Sequence, residues 1–180
     1  MSNTGNFDAI DLHILKELQA DARASHAAIA RKVGITPPSV YERVKKLEQR
    51  GVICGYQTLL DPEAIGKPVV AFISVWLEGG SRYATDGTIS DKIMNDPDVL
   101  EVHLIAGDEN FLVKARAESN KALENLISRI RSINGIQRTR TTIALTSLVE
   151  RIGPMIDAPP LPERIRGDDG TILPGTDAGT

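Results

Sequence analysis

Apolar positions recur with helical spacing near the start of the chain and switch to strand-like alternation after residue 68. In "FDAIDLHILKELQ" the residues Ile10, Ile14, Leu15 and Leu18 fall on one helical face. Asp8 is the expected N-cap, Asp11 stands three residues on as an acidic variant of a capping box, and Phe7 and Leu12 occupy the staple positions. "SHAAIARKVG" predicts a second helix, capped by Ser25, with Ala28, Ile29 and Val33 inward and Gly34 at C′. A third helix follows in "GITPPSVYERVKKLEQRG", where Val40, Val44 and Leu47 form the packing stripe. Thr36 caps it. A proline disfavours helical geometry in the residue before it, so Pro37 is expected just outside and Pro38 just inside. The short link from Gly34 to Pro37 makes this a helix-turn-helix pattern. "GVICGYQTLL" reads as a short strand or wing, with Cys54 as a small packing residue.

"DPEAIGKP" carries two prolines and a glycine and marks a boundary. Beyond it, "VVAFISVWLE" predicts a strand, "DGTISDKIMN" a helix, and "VLEVHLIAG" and "NFLVKARA" a hairpin about Gly107 and Asp108. Ser119 caps a helix with Leu123, Leu126, Ile127 and Ile130 on one face, and "IQRTRTTIALTSLV" closes as a strand. The order β-α-β-β-α-β is the ferredoxin-like pattern. The predicted class is α+β, with a winged helix-turn-helix at 1–60, a linker at 61–68, a ferredoxin-like domain at 69–152 and a Pro/Gly-rich tail at 153–180 expected to be disordered or loosely packed. In that tail a short apolar piece such as Ile172–Leu173 is open to docking on a neighbour. Two helices cover one face of a four-stranded sheet. The first strand is apolar on both sides, with Phe72, Ser74 and Trp76 on one and Ile73, Val75 and Leu77 on the other. The uncovered face is therefore expected to be a dimer interface.

Charge adds to this picture unevenly. The net charge of the 180 residues is −3, but residues 1–60 hold 8 Lys/Arg against 6 Asp/Glu, while 61–150 hold 10 against 13. A mildly basic front permits local attraction to phosphate. On the third helix Ser39, Arg43, Lys46 and Arg50 form a row without an acidic residue. Ser39 and Arg43 are expected to meet base edges, with Lys45, Lys46 and Arg50 nearer the backbone. The same row suits an ordinary solvated helix face; the glycine turn and preceding short helix favour DNA. Cys54 is the single cysteine, which excludes an internal disulfide and a zinc site of Cys ligands. No metal-ligand spacing, phosphate loop or nucleophile elbow is present. There is no signal-peptide pattern and no apolar run long enough to span a membrane, so a cytoplasmic protein is expected. His103 lies in a strand that ends at the Gly-Asp turn, a position open to a structural or a binding role.

Four stretches, "FDAIDLHILKELQADAR", "GITPPSVYERVKKLEQRGVICGY", "HLIAGDENFLVKARA" and "INGIQRTRTTIAL", together resemble the Lrp/AsnC family of leucine-responsive or feast/famine regulators, over about residues 7–150. The resemblance implies a prokaryotic regulator of amino-acid metabolism genes that forms dimers and larger assemblies, often octamers. Its implied partners are promoter or operator DNA, further copies of itself and an amino-acid effector bound between subunits, with no cofactor and no membrane. The family's Gly-Asp-x-Asp-Tyr loop matches Gly107, Asp108, Glu109, Asn110 and Phe111, with the second acid and the tyrosine replaced. Its Thr-Arg-Thr stretch matches Thr139, Arg140 and Thr141, with Leu145 beyond. The implied effector residues are His103, Gly107, Asp108, Asn110, Thr139, Thr141 and Leu145; the threonines suit an exposed strand equally well. The implied DNA residues are Thr36, Ser39, Arg43, Lys45, Lys46 and Arg50. An effector sensor without DNA binding and an enzyme on a ferredoxin-like fold are the rival readings. The basic row opposes the first, and the lack of a catalytic set opposes the second.

Overall fold

The computed structural model describes residues 7–79, 87–151 and 153–161, with the backbone of the short pair at 165–166 and 172–173. The chain divides into two units, residues 1–58 with 151–180, and residues 59–150.

The first unit is built on α1 (Ala9–Ala20), α2 (His26–Val33) and α3 (Pro37–Gln49). Ile14, Ile29, Ala30, Val33, Val40, Val44 and Leu47 form its buried core, with Phe7, Ile10, Leu15 and Leu18 packed around them. Asp8 caps α1 by accepting from the Asp11 N–H at 2.7 Å. The return half of the capping box does not form, because the Asp11 carboxylate turns to Arg43 instead. Gly34 sits in the left-handed region (φ 79°) and donates to Ala30, which ends α2 and turns the chain. Both prolines lie inside α3, at N1 and N2, which corrects the expectation that Pro37 stands outside. Thr36 accepts from the Ser39 N–H and is thereby the N-cap, so each proline falls where an N–H would lack an intrahelical partner.

No strand forms at 51–68, so the predicted wing has no ladder within this chain. Three glycines and a run of small turns leave that segment with no neighbouring strand to pair with. Cys54 is exposed there, with its thiol on the Gly51 carbonyl, and does not fill a core. The start of the tail, at 153–161, is irregular in secondary structure but is held. Gln19 Nε2 donates to the Pro154 carbonyl and His13 Nε2 to the Pro159 carbonyl, each at 2.7 Å. Proline-rich backbone has free carbonyls, and α1 supplies side-chain donors for them. Ile172–Leu173 (β6) pairs with Ile165–Arg166 (β5) as a two-residue ladder.

The second unit contains β1 (Val69–Leu77), α4 (Thr88–Met94), β2 (Val99–Leu104), β3 (Phe111–Ala117), α5 (Asn120–Arg131) and β4 (Ile136–Ala144). The strands form one antiparallel sheet in the order β2-β3-β1-β4. Ala71, Ile73, Val75 and Leu77 join Ile89 and Ile93 of α4 and Leu123, Leu126 and Ile130 of α5 in the core. α4 approaches the turn before β4 so closely that a Cβ on Gly135 (φ +96°) would stand 2.9 Å from Ile89 Cδ1. Phe72, Ser74 and Trp76 point to the face that carries neither helix.

Candidate DNA-binding and effector sites

The predicted basic row of α3 lies beside the buried stripe; Ser39, Lys46 and Arg50 are exposed, and only Arg43 turns towards α1. Ser39, Arg43, Lys46 and Arg50 line an open groove of about 590 Å3 together with Asp11, Ile35, Pro38, Glu42 and Leu47. The row is therefore less purely basic than its spacing predicts, since Glu42 and Asp11 share the groove.

Arg43 is the largest departure. Its Nη1 lies 2.6 Å from Asp8 Oδ2 and 2.7 Å from Asp11 Oδ1, and the side chain is only 31% exposed. It is committed to α1 and does not reach outward as a base-reading arginine. Burial works against its charge, but the Asp11 and Asp8 carboxylates outweigh that and raise its pKa. Burial likewise pushes the Asp8 carboxyl up, and the Asp11 N–H and Arg43 more than reverse it, leaving Asp8 below the usual carboxylate range. The contacts clamp the N-terminus of α1 to the middle of α3, so Arg43 positions the helix.

The clamp has a pH signature. The native Asp8 carboxyl titrates below its ordinary 3.8, so its contribution is present above that value and is lost as pH falls through the native one. Arg43→Gln should therefore destabilise the first unit by about 0.5–1 kcal/mol near neutrality, an exposed-pair magnitude because water screens Asp8. The gap between parent and variant should close as pH falls below 3.8. Urea titrations followed by helical circular dichroism at pH 7 and pH 3 check this; a gap that stays constant removes the pair from the account.

The remaining DNA-site residues are distributed as follows. Thr36 Oγ1 and Ser39 Oγ pair at 2.8 Å, so each hydroxyl already has a partner. Arg50 stacks over the Phe7 ring at 5.1 Å. Lys45 and Lys46 are exposed and hold no ion pair among the described residues.

The effector residues do not converge within one chain. Antiparallel partners share a face, and Thr139 and Thr141 pair with Val75 and Ile73, on the helix-covered side of edge strand β4. His103 pairs with Leu112, itself opposite Ser74, on the uncovered side and in the other edge strand, β2. His103 Nε2 lies 3.1 Å from Glu101, whose carboxyl is held below its usual range first by His103 and then by Lys114. Gly107 and Asp108 are exposed in the β2–β3 turn. Asn110 is engaged in structure: its Oδ1 accepts from the Leu77 N–H at 2.9 Å, beside the register shift between Trp76 and Leu77. Its N–H also donates to the Val75 carbonyl. Leu145 lies beyond the opposite end of β4 and is 98% exposed. The seven residues thus fall into separate places, because sheet order sends β2 and β4 to opposite edges.

The uncovered face holds features that the sequence motifs did not indicate. Arg138 stacks on Trp76 at 4.0 Å, and Arg140 lies 5.7 Å from the same ring. Glu109 folds over Ser74, with Ser74 Oγ donating at 3.4 Å. Among the described residues no group of three or more metal-ligating side chains converges, and no helix is long and apolar enough to cross a membrane.

Residues 7–48 match the family model of an AsnC-type helix-turn-helix domain, and residues 70–154 match an Lrp/AsnC ligand binding domain. The FL11 transcriptional regulator of Pyrococcus horikoshii is 34% identical over 138 residues, covering 77% of this chain and 89% of that protein. The leucine-responsive regulatory protein of Haemophilus influenzae is 35% identical over 142 residues, covering 77% and 83%. Among solved structures, E. coli AsnC superposes with a TM-score of 0.75 at 30% identity, covering 82% of this chain and 98% of that one. A feast or famine regulatory protein of M. tuberculosis, in complex with L-methionine, superposes at 0.75 with 31% identity, covering 83% and 99%.

Proposed function

This chain belongs to the Lrp/AsnC family of transcriptional regulators, with a helix-turn-helix domain ahead of a ligand-binding domain, and on that premise we propose how it works. It binds promoter DNA as a symmetric assembly, and an amino acid changes that binding. The observation that carries the DNA half is α3 itself. Its first turn is fixed by Thr36 and two prolines, and Lys45 and Lys46 stand exposed on it without partners. The lysines neutralise phosphates, while Thr36, Ser39 and Arg50 border the contact and Arg43 holds the helix in place.

Two copies associate through the uncovered sheet face, where Phe72, Trp76 and Leu112 are ringed by Glu101, His103, Lys114, Arg138 and Arg140. Association supplies two α3 helices for a two-fold site. The effector is an amino acid, a reading supported by the methionine complex of the M. tuberculosis relative and by the name of the leucine-responsive one. The site is formed between copies, with Gly107 and Asp108 from one turn and Thr139 and Thr141 from an edge strand. His103, Asn110 and Leu145 stand apart from it. Coupling follows from linkage: an amino acid that binds one assembly geometry better shifts DNA affinity by about 5–150-fold.

The test is fluorescence anisotropy on the DNA upstream of the protein's own gene, over a range of salt, with the amino acids added singly. Affinity should fall linearly in log–log form, and Lys45→Ala and Lys46→Ala should each reduce the salt slope by about 1. One amino acid should change affinity and raise the melting temperature in parallel. Salt-independent binding defeats the DNA half; an unchanged affinity and melting temperature with every amino acid defeats the effector half.

A further inference from the structure

Val40, Val44 and Leu47 are the buried stripe of α3. The row directly opposite, at i, i+4, i+7 and i+11, is Pro38, Glu42, Lys45 and Gln49, and all four residues are exposed. Beside this row Lys46 is also exposed and without an ion pair among the described residues, whereas four other polar heads are engaged. Ser39 is paired with Thr36, Arg43 with Asp8 and Asp11, Glu48 with Tyr56, and Arg50 lies over Phe7. Glu42, Lys45 and Gln49 hold no hydrogen bond or ion pair among the described residues. Glu42 therefore occupies the middle of the outward row, flanked by Lys45 and Lys46.

A carboxylate on a helix that enters the major groove is repelled by phosphate unless it finds a donor. The major-groove edge offers donors at two places, N4 of cytosine and N6 of adenine. Guanine presents acceptors at N7 and O6, and thymine an acceptor at O4 with a methyl group. A carboxylate there thus selects more than it attracts: it weakens binding to most sequences and spares those with an amino group in reach. We propose that Glu42 is a specificity-determining residue, accepting from the exocyclic amino group of cytosine or adenine and rejecting guanine and thymine at one position of each half-site. The inference rests on the DNA-binding reading above, and it moves the base-reading role from Arg43, which α1 restrains, to the outward row.

The experiment is selection from a random pool of double-stranded DNA with the full-length parent, Glu42→Ala and Glu42→Gln, at one salt concentration. The parent should restrict one half-site position to cytosine or adenine, with guanine and thymine depleted by about tenfold. Glu42→Ala should make that position degenerate, keep the others, and bind non-specific DNA at least as well as the parent. Glu42→Gln should shift the position towards adenine, where an amide can pair with N6 and N7 together. Glu42 is exposed, so neither variant threatens the core, and helical circular dichroism verifies this. If Glu42→Ala keeps the parent's preference at every position, the proposal is overturned. A parent that enriches no sequence overturns the DNA-binding reading itself, and the role of Glu42 with it.

Discussion

Replacing Phe72 by aspartate should lower the affinity for DNA with two half-sites by about 10²–10⁴-fold while leaving the weaker affinity for a single half-site unchanged. Phe72 is 38% exposed on the sheet face that carries no helix, although its strand neighbours Ala71 and Ile73 are fully buried on the other side. Register places Lys114 and Thr142 beside it, in the adjacent strands. An aspartate there stays hydrated in a monomer but loses its water when a second copy covers the face, a transfer that is unfavourable without a dedicated partner. Lys114 offers little compensation, because Glu101 and Glu150 already hold it. Loss of the pair removes the intramolecular advantage of the second α3, and with it most of the affinity. Sedimentation velocity and anisotropy on one- and two-half-site duplexes check both parts. Trp76, the single tryptophan, lies on the same face and should shift to longer emission wavelength as the partner leaves. A variant that remains dimeric and binds as the parent does would place the interface elsewhere.

The second large effect concerns Ile14. It is 0% exposed at the centre of the helical core, with Ile29, Val40, Val44 and Leu47 around it. Truncation to alanine leaves a cavity and should destabilise that unit by about 2–5 kcal/mol. A domain of about sixty residues has a total stability of about 3–9 kcal/mol, so the loss is a large part of the whole. Ile14→Ala should abolish DNA binding and lower the helical signal. The second unit has its own core and should remain folded, because no Ile14 contact contributes to it. Trp76, the single tryptophan, lies in the second unit, so its emission follows that unit and separates the two transitions. A single shared transition in parent and variant alike would show that the units fold as one.

Much of this molecule is legible from local rules. Ser25, Ser119 and Asp8 cap helices where a short polar side chain precedes an apolar period, and each accepts the expected N–H. The alternation in β1 separates the core side from the open side as predicted, since strand parity is set by backbone geometry. The functional residues were less legible. The row Ser39, Arg43, Lys46 and Arg50 is a true helical row, but spacing alone does not tell which way a row faces. The buried stripe and the carboxylates of α1 settle that, and they turn Arg43 inward. Asn110 reads as an altered ligand-loop position, whereas its side chain caps the backbone of β1 beside a register shift that no spacing reveals.

By itself the sequence determined the three helices of the first unit, the β-α-β-β-α-β order of the second and the family, though not the wing, because caps, turns and periodicity act over a few residues. Tertiary structure alone decided which charges are free and which side chains share a place. Non-sequential strand order puts His103 and Thr139 on opposite edges and opposite faces, and the packing of α1 on α3 ties up Arg43 and leaves Glu42 and Lys45 outward. Both outcomes depend on contacts between residues far apart in the chain, whose direction local propensity does not encode.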